Sequence, residues 1–296
     1  MNEKIATLKK AKNAVILAHN YQLPEVQDVA DFTGDSLELA VRAKETTADL
    51  IVFCGVLFMA ETAKILNPSR KVIMPVPDAG CPLADQLTPG MILAAKAKHP
   101  EAAVVLYVNS TAACKAFADI VCTSANAVGV VESLPHDTIL FGPDSNLAGY
   151  VQRNLPDKTI IPLPPGGHCY VHAEFTPGDV GEARRRGGRI ICHPECPAEI
   201  QAAADVIAST GGMVREAPSA PIWNVFTEKE MAWRLKKLYP DRTFYAKDGA
   251  VCHDMKKTTL ADVIRALETE QYEVTLPADI MERARGAIER MIALPG

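Results

Sequence analysis

The chain repeats one pattern of secondary structure three times, and this repeat constrains the fold more than any other feature of the sequence. Short, largely apolar runs around 15–18, 104–106 and 189–192 each end in a polar cluster that is followed by a helical pattern. Such runs predict buried parallel strands. His19, Tyr107 and His193 are the first polar residues after them and lie 88 and 86 residues apart. A period this long favours small domains over an elongated solenoid.

Further features recur at fixed distances from these three strand ends. Two residues after them stand Tyr21, Asn109 and Glu195, and seventeen residues after them stand Ser36, Ser124 and Thr210. A second strand is predicted to end near 53, 141 and 226, and the helix after it stops at the prolines 68, 156 and 240. A third strand follows near 72–74, 160–161 and 244–245.

Each copy then reaches a loop that carries a cysteine. Cys81 and Cys169 each lie 62 residues after their strand end, and Cys252 lies 59 residues after its own. Seven residues beyond each cysteine comes a threonine that can cap a helix: Thr88, Thr176 and Thr259. The repeated unit is therefore predicted to be β-α-β-α-β-loop-α.

We predict an α/β fold of three small three-layer domains with parallel sheets, each a βαβαβ unit, related by a pseudo-three-fold axis. The predicted domains are 1–100 with an N-terminal helix, 101–187, and 188–296 with a C-terminal helix at about 278–292. Parallel sheets bind ligands beyond the carboxyl ends of their strands. The recurring polar residues and the three cysteines are therefore expected to meet in one central cavity.

Composition narrows the class of function. The net charge of −5 arises from 31 basic and 36 acidic side chains without long runs of one sign, so we expect no nucleic-acid partner. The longest apolar run, about 50–60, is too short to span a bilayer. Because the N-terminal residues also lack an apolar signal core, we expect a cytoplasmic protein whose eight cysteines are reduced.

Three converging thiolates suit an iron-sulfur cluster, zinc or copper(I), and the lack of a fourth equivalent cysteine leaves one coordination position open. The alternative is that all three are inert buried thiols. Cys54, Cys114, Cys122 and Cys192 do not recur and are predicted to pack in strands or helices. Cys196, four residues after Cys192, could also be interpreted as part of a zinc hairpin.

At this point the sequence resembles the quinolinate synthase family. The resemblance rests on several motifs that occur in order over nearly the whole chain: AHNYQ at 18–22, GDS at 34–36, DAGC at 78–81, YVNS at 107–110, CYVH at 169–172, HPEC at 193–196 and MKK at 255–257. Several motifs together are far more specific than any one of them.

The resemblance implies a [4Fe-4S] cluster with three cysteine ligands, Cys81, Cys169 and Cys252, and one open iron. It implies condensation of iminoaspartate with dihydroxyacetone phosphate to quinolinate, phosphate and water in de novo NAD synthesis. An aspartate-oxidising enzyme would supply the iminoaspartate. The substrate-binding positions that it implies are His19, Ser36, Tyr107, Val108, Asn109, Ser124, His193, Pro194, Glu195 and Thr210. The open iron would act as a Lewis acid.

Ring formation needs several proton transfers, and Tyr21 and Glu195 are our candidates for the acid and base. His193 and Tyr107 complete the predicted catalytic group, with His19 nearby. Because the recurring positions include no arginine or lysine, hydroxyls, the Asn109 amide and helix N-termini are expected to bind the anionic substrates. His172, Lys256 and Lys257 stay ambiguous between site residues and ordinary loop residues.

Two other classes of protein are compatible with three converging cysteines. One is another three-cysteine cluster enzyme of triplicated architecture, such as the reductase that ends the non-mevalonate isoprenoid route or the diphthamide radical enzymes. The other is an iron-sulfur sensor that binds a small acid and signals through a partner. The sequence lacks a basic patch or an appended partner module that would favour the sensor.

Overall fold

The structure, a computed structural model, describes residues 1–294. Its twelve strands form three four-stranded parallel sheets. The strands are β1 (Ala14–His19), β2 (Phe32–Gly34), β3 (Leu50–Cys54), β4 (Lys71–Ile73), β5 (Ala103–Tyr107), β6 (Ile120–Cys122), β7 (Thr138–Gly142), β8 (Thr159–Pro162), β9 (Arg189–Cys192), β10 (Val206–Ile207), β11 (Ile222–Phe226) and β12 (Thr243–Tyr245). Each sheet has the same strand order, second, first, third and fourth. The predicted fold class is confirmed.

Helices lie between these strands and at both ends of the described chain. They are α1 (Asn2–Ala11), α2 (Pro24–Val29), α3 (Ser36–Glu45), α4 (Leu57–Leu66), α5 (Pro89–Lys98), α6 (Ala112–Lys115), α7 (Ala127–Glu132), α8 (Ser145–Asn154), α9 (Tyr170–Ala173), α10 (Pro177–Arg186), α11 (Ala198–Ala203), α12 (Thr210–Glu216), α13 (Glu230–Leu238), α14 (Leu260–Thr269) and α15 (Ala278–Ala293). Over residues 1–294, no helix combines the length and apolar character needed to cross a membrane.

The helix boundaries follow from local sequence. Thr88, Thr176 and Thr259 cap α5, α10 and α14, and each threonine side chain accepts a hydrogen bond from the backbone N–H three residues later. The helices α4, α8 and α13 each end two residues before a proline, which cannot continue a helix. The predicted caps and helix ends are thus confirmed in all three copies.

The predicted count of three strands per unit is wrong, because a fourth strand forms beside the first one in each sheet. These strands, β2, β6 and β10, have two or three residues, which is too short for a readable periodicity. A repeated aspartate immediately precedes each of them and accepts a hydrogen bond from the backbone N–H of the neighbouring central strand. The residues are Asp31, Asp119 and Asp205, at 2.8, 2.7 and 2.7 Å.

The last long helix of each repeat packs on the sheet of the next repeat. Ile92 of α5 packs with Val104 of the second sheet, and Ala183 of α10 packs with Ile190 of the third. Leu267 of α14 packs in the cluster that buries the first sheet. The predicted domain boundaries separate α5 and α10 from the sheets that they cover, and these boundaries stay a prediction. The final helix, α15, buries its apolar face in the cluster that joins the first two repeats.

Candidate active site

One cavity lies where the carboxyl ends of the strands of all three sheets meet. The strand-end residues, the residues two and seventeen positions later and the cysteine of each repeat all line it: His19, Tyr21, Ser36, Cys81, Tyr107, Asn109, Ser124, Cys169, His193, Glu195, Thr210 and Cys252. Parallel strands bring these loops together because their carboxyl ends share one edge of each sheet. The structure therefore places every recurring residue of the sequence pattern at one site.

Two predicted substrate-binding residues do not line this cavity. Val108 is buried behind the Tyr107 loop, where its backbone N–H donates to the carbonyl of Cys122 at 2.8 Å. Pro194 lines a neighbouring cavity that also reaches Ser124. Their assignment as substrate-binding residues stays a prediction.

The strand-end histidines are held in one tautomer by the turn that follows them. The backbone N–H of Tyr21 donates to Nδ1 of His19 at 3.2 Å, and that of Glu195 donates to Nδ1 of His193 at 3.3 Å. Since Nδ1 accepts, the neutral ring carries its proton on Nε2, and Nε2 of His193 then donates to Ser124 Oγ at 3.1 Å. Burial lowers the pKa of both histidines to about 3.

Glu195 lies at the centre of the polar contacts. Its Oε1 accepts a hydrogen bond from the Tyr107 hydroxyl at 2.5 Å. Its Oε2 lies 3.0 Å from Nδ1 of His172, although the two groups are not aligned as a good hydrogen bond. Burial alone would raise the pKa of Glu195, but the neighbouring imidazoles of His172 and His193 and the hydrogen bond from the Tyr107 hydroxyl lower it. Glu195 is therefore an ionised carboxylate in a buried site.

Tyr21 reaches the same centre through a residue that the sequence analysis missed. Its hydroxyl lies 2.5 Å from Thr227 Oγ1, which is 2.8 Å from Nε2 of His172. Burial and then the Glu195 charge raise the pKa of Tyr21 well above its usual value, so its hydroxyl stays protonated. His172, which the sequence left ambiguous, thus joins Tyr21 and Thr227 to Glu195.

Neither Thr227 nor Glu228 was predicted, because both have no equivalent in the other repeats, where Cys54–Gly55 and Gly142–Pro143 occupy their places. Glu228 lines the cavity and pairs with Lys256, whose Nζ is 2.8 Å from its Oε1. Lys256 also donates to the carbonyl of Tyr21 at 2.5 Å. The only available signal was their position directly after the end of β11.

A third set of missed residues does recur, eight positions after each strand end. Gln27, Lys115 and Gln201 are all buried and donate to carbonyls of the loops that carry the site residues. Gln27 is 2.9 Å from two carbonyls of its loop, Gln201 is 2.8 and 2.7 Å from the two equivalent ones, and Lys115 is 2.7 Å from the carbonyl of Ser110. The repeat offset was the signal that could have revealed them.

The eight cysteines fall into two groups by exposure. Cys81, Cys169 and Cys252 are partly exposed, whereas the other five are fully buried. Cys196 donates weakly to the carbonyl of Phe226 at 3.5 Å and packs beside Cys192, so these two are core residues. Burial raises the pKa of the three cavity thiols, and a bound cationic group would be needed to hold all three as thiolates.

The spacing of possible ligand atoms distinguishes a cluster from a single ion. Among residues 1–294, one group of three ligand atoms lies within 4.8 Å, and it consists of Cys169, His172 and Glu195. His172 and Glu195 already contact Thr227 and Tyr107, so two members of this group are held by partners within the protein. Cys81, Cys169 and Cys252 do not form such a group within 4.8 Å, so their thiols fit a polynuclear cluster better than one zinc or copper ion.

Comparison with known proteins identifies the family. The sequence profile of the family described as Quinolinate synthetase A protein matches residues 3–293, which is nearly the whole chain. The chain belongs to this family. The resemblance drawn from the motifs is thereby confirmed.

Relatives of this family match along nearly their full length. A protein from Pyrococcus furiosus is 56% identical over 297 residues, which cover 99% of this chain and 98% of that protein. One from Methanothermobacter thermautotrophicus is 50% identical and covers 99% of this chain and 97% of its own length. One from Thermotoga maritima is 48% identical, with both chains fully covered. All three are named quinolinate synthase.

Proposed function

We propose that the chain is a quinolinate synthase that condenses iminoaspartate with dihydroxyacetone phosphate to form quinolinate, phosphate and water in de novo NAD synthesis. The observation that carries this proposal is the convergence of twelve recurring residues on one cavity. Among the eight cysteines, the three at that cavity are also the three that are partly exposed. Family membership supports the same activity.

Cys81, Cys169 and Cys252 would hold a [4Fe-4S] cluster, one cysteine from each repeat. The convergence of these three partly exposed thiols on one cavity, without all three lying within 4.8 Å of one another, supports a polynuclear cluster at this place. With three protein ligands, such a cluster has one open iron that supplies Lewis acidity to a bound substrate oxygen or nitrogen. The rest of the chemistry falls to protein side chains.

Binding of the anionic substrates is assigned to neutral donors. Ser36, Ser124 and Thr210 present hydroxyls from the three repeats, and Ser36 is also the first residue of the ten-residue helix α3. Asn109 adds an amide whose Nδ2 can donate to the anions, while its buried Oδ1, which has no partner in the described chain, can accept from a substrate hydroxyl or N–H. Hydroxyls and a helix N-terminus can donate to carboxylate and phosphate oxygens.

Proton transfer is assigned to Tyr21 and Glu195. Glu195 is ionised and can accept a proton as a general base, while the Tyr21 hydroxyl is protonated and can donate one as a general acid. Tyr107 orients the Glu195 carboxylate, and His193 can pass the proton on its Nε2 toward Ser124. Thr227 and His172 connect the acid to the base.

The proposed partners are small molecules. Iminoaspartate is an unstable imine, so an aspartate-oxidising enzyme must supply it in the same compartment, which we take to be the cytoplasm. The balanced surface charge gives no electrostatic basis for a nucleic-acid partner.

The decisive experiment is an anaerobic assay of reconstituted protein with iminoaspartate and dihydroxyacetone phosphate, in which quinolinate is measured by mass spectrometry. We expect quinolinate from protein that carries its full iron and sulfide. Protein without iron is the matched control and should form none. A fully loaded sample that forms no quinolinate would favour another cluster enzyme or a sensor.

A further inference from the structure

Each of the three cavity cysteines has a neighbour in sequence whose backbone is held by a side chain from another repeat. The neighbours are Gly80 beside Cys81, His168 beside Cys169 and His253 beside Cys252. Gly80 lines the cavity, but the side chains that hold these three neighbours do not, and none of them is assigned to substrate binding or proton transfer.

The first contact joins the first repeat to the second. The Gln86 side chain lies five residues after Cys81, and its Nε2 donates to the carbonyl of His168 at 3.0 Å. The backbone N–H of His168 donates back to Gln86 Oε1 at 3.1 Å. This pair of hydrogen bonds fixes the chain immediately before Cys169, much as a strand neighbour would.

The second contact joins the second repeat to the third. The backbone N–H of His253 donates to the Tyr170 hydroxyl at 2.8 Å, and the two rings stack with centroids 6.2 Å apart. The same hydroxyl lies 3.4 Å from the carbonyl of Val251. Tyr170 directly follows Cys169 and therefore holds the residues on both sides of Cys252.

The third contact returns from the third repeat to the first. Asp254 lies two residues after Cys252, and its Oδ1 accepts a hydrogen bond from the backbone N–H of Gly80 at 3.2 Å. Lys257 reinforces this contact, because its Nζ is 2.9 Å from Asp254 Oδ1 and donates to the carbonyl of Asp78 at 2.5 Å. The segment before Cys81 is thus tied to the Cys252 loop.

The three contacts close a circle with one direction: the first repeat holds the second, the second holds the third, and the third holds the first. We propose that Gln86, Tyr170 and Asp254 are positioning residues that keep the three cysteine loops together and slow the loss of the cluster. This inference rests on the proposed cluster at Cys81, Cys169 and Cys252. We name Gln86, Tyr170 and Asp254 the loop ring.

The loop ring slows cluster loss by restraining the positions of the three cysteine loops. Release of a cluster requires a cysteine loop to move away from the axis, and each loop can move only if the contacts with its two neighbours open. A net hydrogen bond contributes about 1 kcal/mol, which corresponds to roughly a fivefold change in a rate. Because each loop is held by two contacts, removing both contacts of one loop should lower its barrier by the sum of the two single effects.

The test measures iron loss from anaerobically loaded protein after addition of a ferrous chelator such as ferrozine. We expect Gln86→Ala, Tyr170→Phe and Asp254→Ala each to speed iron release by at least roughly fivefold, the effect of one hydrogen bond. The double variant Gln86→Ala/Asp254→Ala removes both contacts of the Cys81 loop and should speed iron release by about the product of the two single effects. Asp254→Asn keeps the acceptor for Gly80 and should release iron at nearly the wild-type rate.

Two variants control for the general loss of a side-chain contact. Gln152 also bonds backbone on both sides of its amide, to the carbonyl of Lys158 at 2.7 Å and the N–H of Ile160 at 2.9 Å, within one repeat. The Tyr239 hydroxyl donates to the carbonyl of Val214 at 3.1 Å. Gln152→Ala and Tyr239→Phe should release iron at the wild-type rate.

A second readout uses protein without iron, in which iodoacetamide alkylation of individual cysteines is followed by mass spectrometry. The ring variants should react faster at Cys81, Cys169 and Cys252 than wild type, and the control variants should not. Wild-type rates of both iron release and alkylation in the ring variants would overturn the proposal. If the loaded protein forms no quinolinate but the variants still release iron faster, the ring stands and the proposed activity fails.

Discussion

At the scale of single residues, partial exposure separates the cavity cysteines from the rest. Cys81, Cys169 and Cys252 reach the cavity, whereas Cys54 and Cys114 are fully buried in the core. We expect serine at any of the first three to abolish cluster assembly, because each repeat supplies one ligand. Serine at Cys54, Cys114 or Cys122 should leave the cluster intact. Iron and sulfide analysis after anaerobic reconstitution checks this, and a normal cluster in Cys169→Ser would refute the ligand assignment.

The assignment of Tyr21 as acid and Glu195 as base leads to a second prediction. Tyr21→Phe and Glu195→Gln preserve side-chain shape but each remove a proton-transfer group, so we expect a full cluster and a loss of about 10²- to 10⁴-fold in kcat. The measurement is the anaerobic rate of quinolinate formation at saturating substrates, with iron content determined on the same samples. Wild-type rates in both variants would remove these residues from the mechanism.

The buried histidines predict how stability depends on pH. Burial lowers the pKa of His19 and His193 to about 3, whereas a histidine in the unfolded chain titrates near 6.5. Between these values the unfolded chain binds protons that the folded protein does not. The free energy of unfolding therefore falls as pH falls from 6.5 toward 3, on the order of 1 kcal/mol per pH unit for each imidazole.

Urea unfolding of the iron-free protein at several pH values between 5 and 7 measures this slope. His19→Asn and His193→Asn should each flatten it by the contribution of one imidazole. The prediction fails if both variants keep the wild-type slope.

At the residue scale, the repeat spacing predicted which strand-end side chains meet at one cavity, but it did not reveal contacts made by side chains that occur once. His19, Tyr107 and His193 were found because three strand ends share one offset. Thr227 occurs once, and its contact with His172 depends on how two loops from different repeats meet. The spacing of residues in the sequence cannot show which side chains from different loops come into contact.

At the scale of elements, the buried donors eight residues after each strand end hold the loops that carry the site. The first and third repeats use glutamine, and the second uses Lys115, whose ammonium is buried close to Glu61. Burial lowers the pKa of Lys115 to about 8, although Glu61 opposes this shift. The equivalent positions show that an uncharged amide can serve the same loop geometry.

We therefore expect Lys115→Gln to retain most activity and Lys115→Met to lower kcat about tenfold or more. The methionine leaves the buried carbonyl of Ser110 without this donor, which costs about 1–3 kcal/mol. Both variants are made together with Glu61→Gln, so that neither leaves a carboxylate buried without its cation. Steady-state kinetics and hydrogen exchange of residues 107–110 provide the measurement. Equal rates in the two variants would contradict a positioning role.

The prediction of strands and helices was limited by the length of each element and by the need to know which neighbour it packs against. The long strands and capped helices were readable because periodicity, prolines and threonine caps agree in all three copies. The edge strand β10 has only two residues, so its sequence holds no alternation to read. Its pairing with β9 depends on packing and hydrogen bonding in the assembled sheet rather than on the strand propensity of its own residues.

At the scale of the whole molecule, the apolar face of a helix shows that it will be buried but not against which sheet. The pattern of α14 predicts an amphipathic helix, yet it covers the sheet of the first repeat rather than its own. The same exchange occurs for α5 and α10, so the three repeats are joined in a closed circle. The loop ring around the cysteines follows the same order.

The packing of α14 on the first sheet predicts which strands are weakened by a destabilising substitution in α14. Leu267 is fully buried with Ile16 and Val52, which belong to the two central strands of the first sheet. Leu267→Ala should lower the free energy of unfolding by about 2–5 kcal/mol, because it removes buried methyl groups and leaves a cavity. Hydrogen exchange should accelerate in β1 and β3, although the mutated residue belongs to the third repeat, while β9 and β11 stay protected.

The matched control is Leu93→Ala in α5, since Leu93 lies on the equivalent helix but is 53% exposed. It should change the free energy of unfolding by no more than about 0.5 kcal/mol. Urea titration gives the two free energies, and exchange measured by mass spectrometry locates the weakened sheet. If Leu267→Ala instead loosens β9 and β11 and spares β1 and β3, then α14 stabilises its own repeat, and the three repeats are not joined by exchanged helices.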